Sequence, residues 1–213
     1  MFKNLFRPDS GLMIVMSQIT DCIFLSLFFL LGCAPVVTCG ASVAAMYDAV
    51  YHGFRRGVKN SWQRFLRSFV RNWKGGLVPS ILFLAAVYGL GYGAIQCWNN
   101  AVYGNISWML FAALMLLEVV AVGVLSVLFP MMSRFENKLG ALLKNTVILS
   151  LANLPRTLML GILNTAAFLL CLRTIIPLFF LPALAALIGT VFIEPMFRPY
   201  MPEENEEEEV AAP

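Results

Sequence analysis

Charge is scarce in this chain. Of its 213 residues only 13% are Asp, Glu, Lys or Arg, while 60% are hydrophobic and the mean hydropathy is +0.78. Soluble domains carry about one quarter charged residues, so most of this chain cannot face water. Histidine is scarcer still, with His52 alone, and the five cysteines (Cys22, Cys33, Cys39, Cys97 and Cys171) include no CxxC pair and no histidine at ligand spacing. That pattern gives a metal site poor support. GxSxG, HExxH and the Walker lysine motif are all missing, so nothing argues for an enzyme, and neither a cofactor nor a nucleic-acid partner is expected. The N-terminal MFKNLFRPDSGLM has two positive charges but no small-residue cleavage site behind a short apolar core. The first apolar segment is therefore expected to stay as a membrane helix.

What is present is a series of long apolar runs. Hydropathy marks spans at about 12–33, 77–97, 107–130, 155–172 and 174–193, each near the 20 residues that cross a bilayer. The charges between them are segregated. Seven of fifteen Lys and Arg lie at 55–74 and six of twelve acids at 203–209. Basic short loops stay in the cytoplasm, which places 53–74 and 131–145 inside and the uncharged 98–106 outside. The basic Lys3 and Arg7 end prefers the inside as well, and two crossings are then needed between residues 12 and 53.

The stretch LGCAPVVTCGASVAAMYDAVY, residues 31–51, supplies the second crossing. Pro35 breaks the helical hydrogen bonding, and the β-branched Val36, Val37 and Thr38 suit a turn or extended link at the outer surface. Helix can resume near Gly40 and run about 13–17 residues, roughly 20–26 Å, slightly short of the hydrocarbon core. Gly40 and Ala44 form a small-xxx-small pair that admits a neighbouring helix, and Asp48 continues the same face. The expectation is an all-α polytopic helical membrane protein with six spans, the second at 38–53, and both termini cytoplasmic. One kinked helix over 20–50 is the five-span alternative.

Phe54, Val58, Trp62, Phe65, Phe69 and Trp73 recur at helical spacing, with Arg55, Arg56, Lys59, Arg67, Arg71 and Lys74 on other faces and Arg64 in the same segment. They predict a basic amphipathic helix over 54–74 lying in the headgroup plane, with Trp62 and Trp73 dipping inward and the bases toward lipid or a partner. A positive-inside loop without specificity explains the same bases. A weaker stripe follows at Phe135, Leu139, Leu142, Leu143 and Thr146, and the repeated order of amphipathic helix, proline and span resembles a parallel duplication. The acidic EENEEEE lies in a tail, 198–213, expected to be disordered and solvated.

Few polar groups fall within the spans. Asp21, Glu118 and Asn164 map near mid-bilayer and Asp48 near the inner end, so a proton or solute site is one expectation. A protonated acid holding helices in register is the other. Gly89, Gly91 and Gly93 lie within an apolar span and suit helix packing.

The elements FRPDSGLM, CAPVVTCGASVAAMYDAVY, SWQRFLRSFVRNWKGG and SLANLP, in that order and spacing, resemble the YesL family of bacterial membrane proteins, domain of unknown function 624. The resemblance extends to about residue 197. It implies a multi-pass protein of the bacterial inner membrane whose genes often lie near carbohydrate transport systems, and it brings no established activity. The function expected is an accessory or regulatory component of carbohydrate uptake, contacting membrane lipid and a transporter permease or sensor protein. The alternative is a small-solute transporter built around the mid-membrane acids.

Overall fold

The computed structural model describes residues 11–55, 60–100, 105–135, 139–174 and 176–200. Seven α-helices carry these residues: α1 Gly11–Cys33, α2 Cys39–Val50, α3 Ser61–Asn100, α4 Asn105–Arg134, α5 Leu139–Ala152, α6 Leu154–Arg173 and α7 Leu181–Phe197. The chain is an all-α polytopic helical protein. Five of its helices (α1, α3, α4, α6 and α7) are long and apolar enough to cross a membrane.

The helix that falls short is the centre of the bundle. α2 has 12 residues, about 18 Å, and every one from Gly40 to Val50 except Val43 is buried. It packs against α1, α3, α4 and α7. Its entry is built from the PVVT link, which forms a 3-10 turn at Val36–Thr38. The Thr38 hydroxyl reaches the Gly32 carbonyl at 2.6 Å and the Pro35 carbonyl at 2.7 Å, covering acceptors that the end of α1 leaves open. α2 then runs antiparallel to α1. A Cβ on Gly32 would collide with the Ser42 hydroxyl, and Leu25 shares a buried cluster with Ala45, Ala49 and Val50. A helical hairpin, and not one kinked helix, therefore joins residues 11 and 50.

α3 also runs antiparallel to α2, so closely that a Cβ on Gly76 would sit 2.9 Å from the backbone nitrogen of Ala41. The Gly40 N–H, an open donor in the first turn of α2, donates to the Ser80 hydroxyl at 2.8 Å, and that hydroxyl donates to the Gly76 carbonyl at 2.6 Å. Beyond α2, α3 pairs with α4, with Phe83 edge-on to Phe129 and Trp98 edge-on to Trp108. α6 crosses α4 where Gly123 and Gly161 meet the Thr157 and Val119 carbonyls, leaving no room for a Cβ at either glycine. α7 returns alongside α6.

Several sequence boundaries shift. The amphipathic segment expected at 54–74 and the span expected at 77–97 are one continuous helix of 40 residues, about 60 Å or twice the hydrocarbon core. Lys74, Gly75 and Gly76 do not interrupt it. Residues Tyr51–Arg55 form a π-helical turn, while 56–59, with Val58, Arg56 and Lys59, lie outside the described residues. The buried stripe of α3 is Ser61, Phe65, Ser68, Asn72, Gly76 and Ser80, with Trp62 and Trp73 exposed. Small residues hold this face at Gly76 and Ser80, where α2 comes closest, while Phe65 fills it nearer the start of α3. The last span begins at Leu181 and not at 174, since Ile176–Phe179 form a 3-10 turn. Residues Arg198–Tyr200 make one more turn where a disordered tail was expected, and 201–213 lie outside the described residues.

Candidate functional site

A polar cluster lies where the end of α2 meets α3, α4 and α7. Four residues come from one turn and a half of α2 and the π-turn after it: Tyr47, Asp48, Tyr51 and His52, all buried. π-turns widen a helix locally and are frequent at functional sites. α3 adds Arg64, α4 adds Arg134 in its last turn, and α7 adds Glu194.

On one side of α2, the Arg64 guanidinium donates to His52 Nε2 at 2.9 Å and to Asp48 Oδ1 at 3.4 Å. Guanidinium groups only donate, so Nε2 is the acceptor and the ring proton belongs on Nδ1. That nitrogen lies 2.9 Å from the Asp48 carbonyl oxygen and 3.2 Å from its carboxylate. On the other side, Arg134 donates to Glu194 at 2.9 Å, and the Tyr47 hydroxyl donates to the same carboxylate oxygen. The Arg134 guanidinium lies over the Tyr51 ring, 3.9 Å from its centroid. Tyr51 stacks on Tyr47 and meets His52 edge-on, which joins the two halves. Two carboxylates and two guanidiniums balance. Among the described residues this is the one place where buried acids and bases are brought together, as burial of charge requires.

Of the residues the sequence singled out, Asp48 is in this cluster and Arg64 is turned into it, 31% exposed, away from a lipid-facing role. Arg55, Arg67, Arg71 and Lys74 are exposed, as are Trp62 and Trp73. Arg71 also donates to the Ser133 carbonyl at 2.9 Å, tying α3 to the end of α4. Leu66 and Val70 join Trp62 and Trp73 to make an exposed apolar stripe beside these bases. Asp21, Glu118 and Asn164 are not brought into hydrogen bonding with one another. Asn164 donates to the Ser126 hydroxyl and the Leu160 carbonyl, Glu118 lies against Gly91 between α3 and α4, and Asp21 is on α1, which packs on α2, α3 and α7. Gly91 and Gly93 face α4, and Gly89 faces open space. The five cysteines are free, and among the described residues no three His, Cys, Asp or Glu side chains converge as a metal site would need.

Tyr47, Tyr51, His52, Arg134 and Glu194 escaped sequence reading. Glu194 fell one residue past the expected end of the last span, and Arg134 was accounted for as a cytoplasmic loop base. A signal was present all the same, since Glu194 is an acid inside an otherwise apolar segment.

The hairpin, the central helix and most of α3 form one continuous stretch of sequence with a recognisable pattern. Residues 22–93 match the family described as "Protein of unknown function, DUF624". Through this segment the chain is similar to that family. No curated protein and no solved structure matches the chain. The DUF624 segment contains Tyr47, Asp48, Tyr51, His52 and Arg64. Arg134 and Glu194, which complete the cluster, lie outside it.

Proposed function

We propose that this protein is an accessory or regulatory component of the bacterial cell membrane associated with carbohydrate uptake, working through contacts at its basic end. The observation that carries the reading is the outer face of α3. Its inner stripe is occupied by α2, while Trp62, Leu66, Val70 and Trp73 stand exposed beside Arg67, Arg71 and Lys74. A face with aromatics next to bases suits an anionic headgroup layer or an acidic partner surface. The link to carbohydrate uptake rests on the resemblance to the YesL family alone. The basic residues favour the cytoplasmic side for this end, by the positive-inside rule.

The rival reading, a transporter with a mid-membrane acidic site, draws less support. Glu118 lies between α3 and α4, Asn164 reaches from α6 to Ser126 on α4 and Asp21 stands on α1, and α2 fills the space between α1, α3, α4 and α7 with Ala41, Ala44, Ala45 and Ala49, each fully buried. The test is purification in mild detergent from native membranes, with mass spectrometry of what accompanies the protein. A stoichiometric sugar-transporter permease or sensor protein that is lost with Arg67→Gln/Lys74→Gln bears the proposal out. A protein recovered alone, whose reconstituted solute flux is abolished by Glu118→Gln, overturns it in favour of transport.

A further inference from the structure

The exposed surface of the described residues is charged almost entirely with one sign. Asp21, Asp48, Glu118 and Glu194 are the acids there, and each is buried or half-buried. Asp48 and Glu194 are already paired with arginines. At the end of the bundle where α2 and α4 finish, the exposed bases are Arg55, Arg67, Arg71, Lys74, Lys144 and Arg198. The chain nonetheless has six further acids within seven residues, Glu203, Glu204 and Glu206–Glu209, directly after the last described turn.

We propose that the outer basic face of α3, around Arg67, Arg71 and Lys74, is the docking surface for the chain's own acidic segment 203–209, which competes there with anionic lipid or a partner. The inference rests on the reading of this face as the contact surface and adds its regulation. Three observations carry it. The signs are opposite, an acidic run against Arg67, Arg71 and Lys74 on α3, with Arg55, Lys144 and Arg198 also exposed among the described residues of that end. The departure point is close: Tyr200 shares a cavity of about 280 Å³ with Met131 and Phe135, and the Ser133 carbonyl two residues on is held by Arg71. The reach suffices, because at about 3.3 Å per residue Glu203 comes within about 10 Å of Tyr200 and Glu209 within about 30 Å. Charges brought within a Debye length of about 8 Å attract at physiological salt, and the attraction fades as salt rises.

The experiment places the photo-crosslinking residue p-benzoylphenylalanine at Asn205 of the full chain in phosphatidylcholine nanodiscs, with crosslinked peptides mapped by mass spectrometry. Crosslinks should concentrate on residues 62–74. Their yield should fall about fivefold or more when the six glutamates are changed to Gln, in Arg67→Gln/Lys74→Gln, and at about 0.5 M salt, where the Debye length shrinks to a few Å. Replacing part of the phosphatidylcholine with phosphatidylglycerol should also lower it. Crosslinks that go chiefly to lipid or to other helices, or that ignore the Glu→Gln change, overturn the proposal. Co-purification of partner and anionic lipid with Arg67→Gln/Lys74→Gln scores the contact face separately. Unchanged recovery there with charge-dependent crosslinks removes the contact reading and keeps the tail contact, while reduced recovery without crosslinks does the reverse.

Discussion

Arg134 is held from three directions, by the Glu194 carboxylate, the Tyr51 ring and the more distant Tyr47 ring. Removing one partner of a buried pair leaves the other uncompensated, at a cost of about 3–5 kcal/mol. Arg134→Met should therefore lower the thermal unfolding temperature of the detergent-solubilised protein substantially, and Arg134→Met/Glu194→Leu should recover part of the loss. An unchanged midpoint in the single variant would show that the pair does not hold α4 to α7. The coupling is measured as a double-mutant cycle. Asp48 was legible at this scale because its spacing from Gly40 and Ala44 put it on the helix-facing side of α2. Arg134 and Glu194 were not. They are 60 residues apart, and each looks ordinary at the end of its own helix until the bundle brings them together.

The contacts between helices turn on positions where a side chain has no room. At Gly123 a Cβ would meet the Thr157 carbonyl oxygen, a backbone atom that cannot rotate away, whereas at Gly89 nothing lies within 4 Å. Gly123→Val should separate α4 from α6 and cost about 1–3 kcal/mol by overpacking. Gly89→Ala should be neutral or stabilising by up to about 1 kcal/mol, from helix propensity alone. Thermal unfolding monitored by light scattering separates the two, and equal effects would contradict the crossing geometry. The hairpin, its PVVT turn and the approximate place of every long helix followed from apolar runs, proline and β-branching. The facing of α3 did not. Its aromatic stripe was the obvious apolar choice, yet between helices in an apolar surrounding burial of carbon gains little and close approach gains more. Ser61, Ser68, Gly76 and Ser80 therefore go inward beside Phe65 of the aromatic stripe, and Trp62 and Trp73 go outward.

At the level of the whole molecule, the five long helices and the short α2 with its π-turn give an even number of passes if α2 counts as one. Residues 39–55 span about 25 Å, enough where neighbouring helices enclose them. Green fluorescent protein fused at either terminus should then fluoresce in the cytoplasm, and a periplasmic or external reporter placed at 101–104 should be active. A non-fluorescent N-terminal fusion together with a fluorescent C-terminal one would mean that α2 does not carry the chain across.

Composition by itself determined that the chain belongs in a membrane, because a sequence with 13% charge and long apolar runs has no soluble way to bury its surface. Local sequence determined the break between α1 and α2, because proline and β-branching act on the residues next to them, but not every helix end, since α3 runs unbroken through Gly75, Gly76 and Pro79. Only the tertiary structure decided that the shortest helix is the core, that Arg64 turns inward while Arg67 stays out, and that Asp48 and Glu194 each find an arginine. Those outcomes depend on which surfaces meet across long separations in sequence, and periodicity fixes the faces of a helix without choosing the neighbour each face receives.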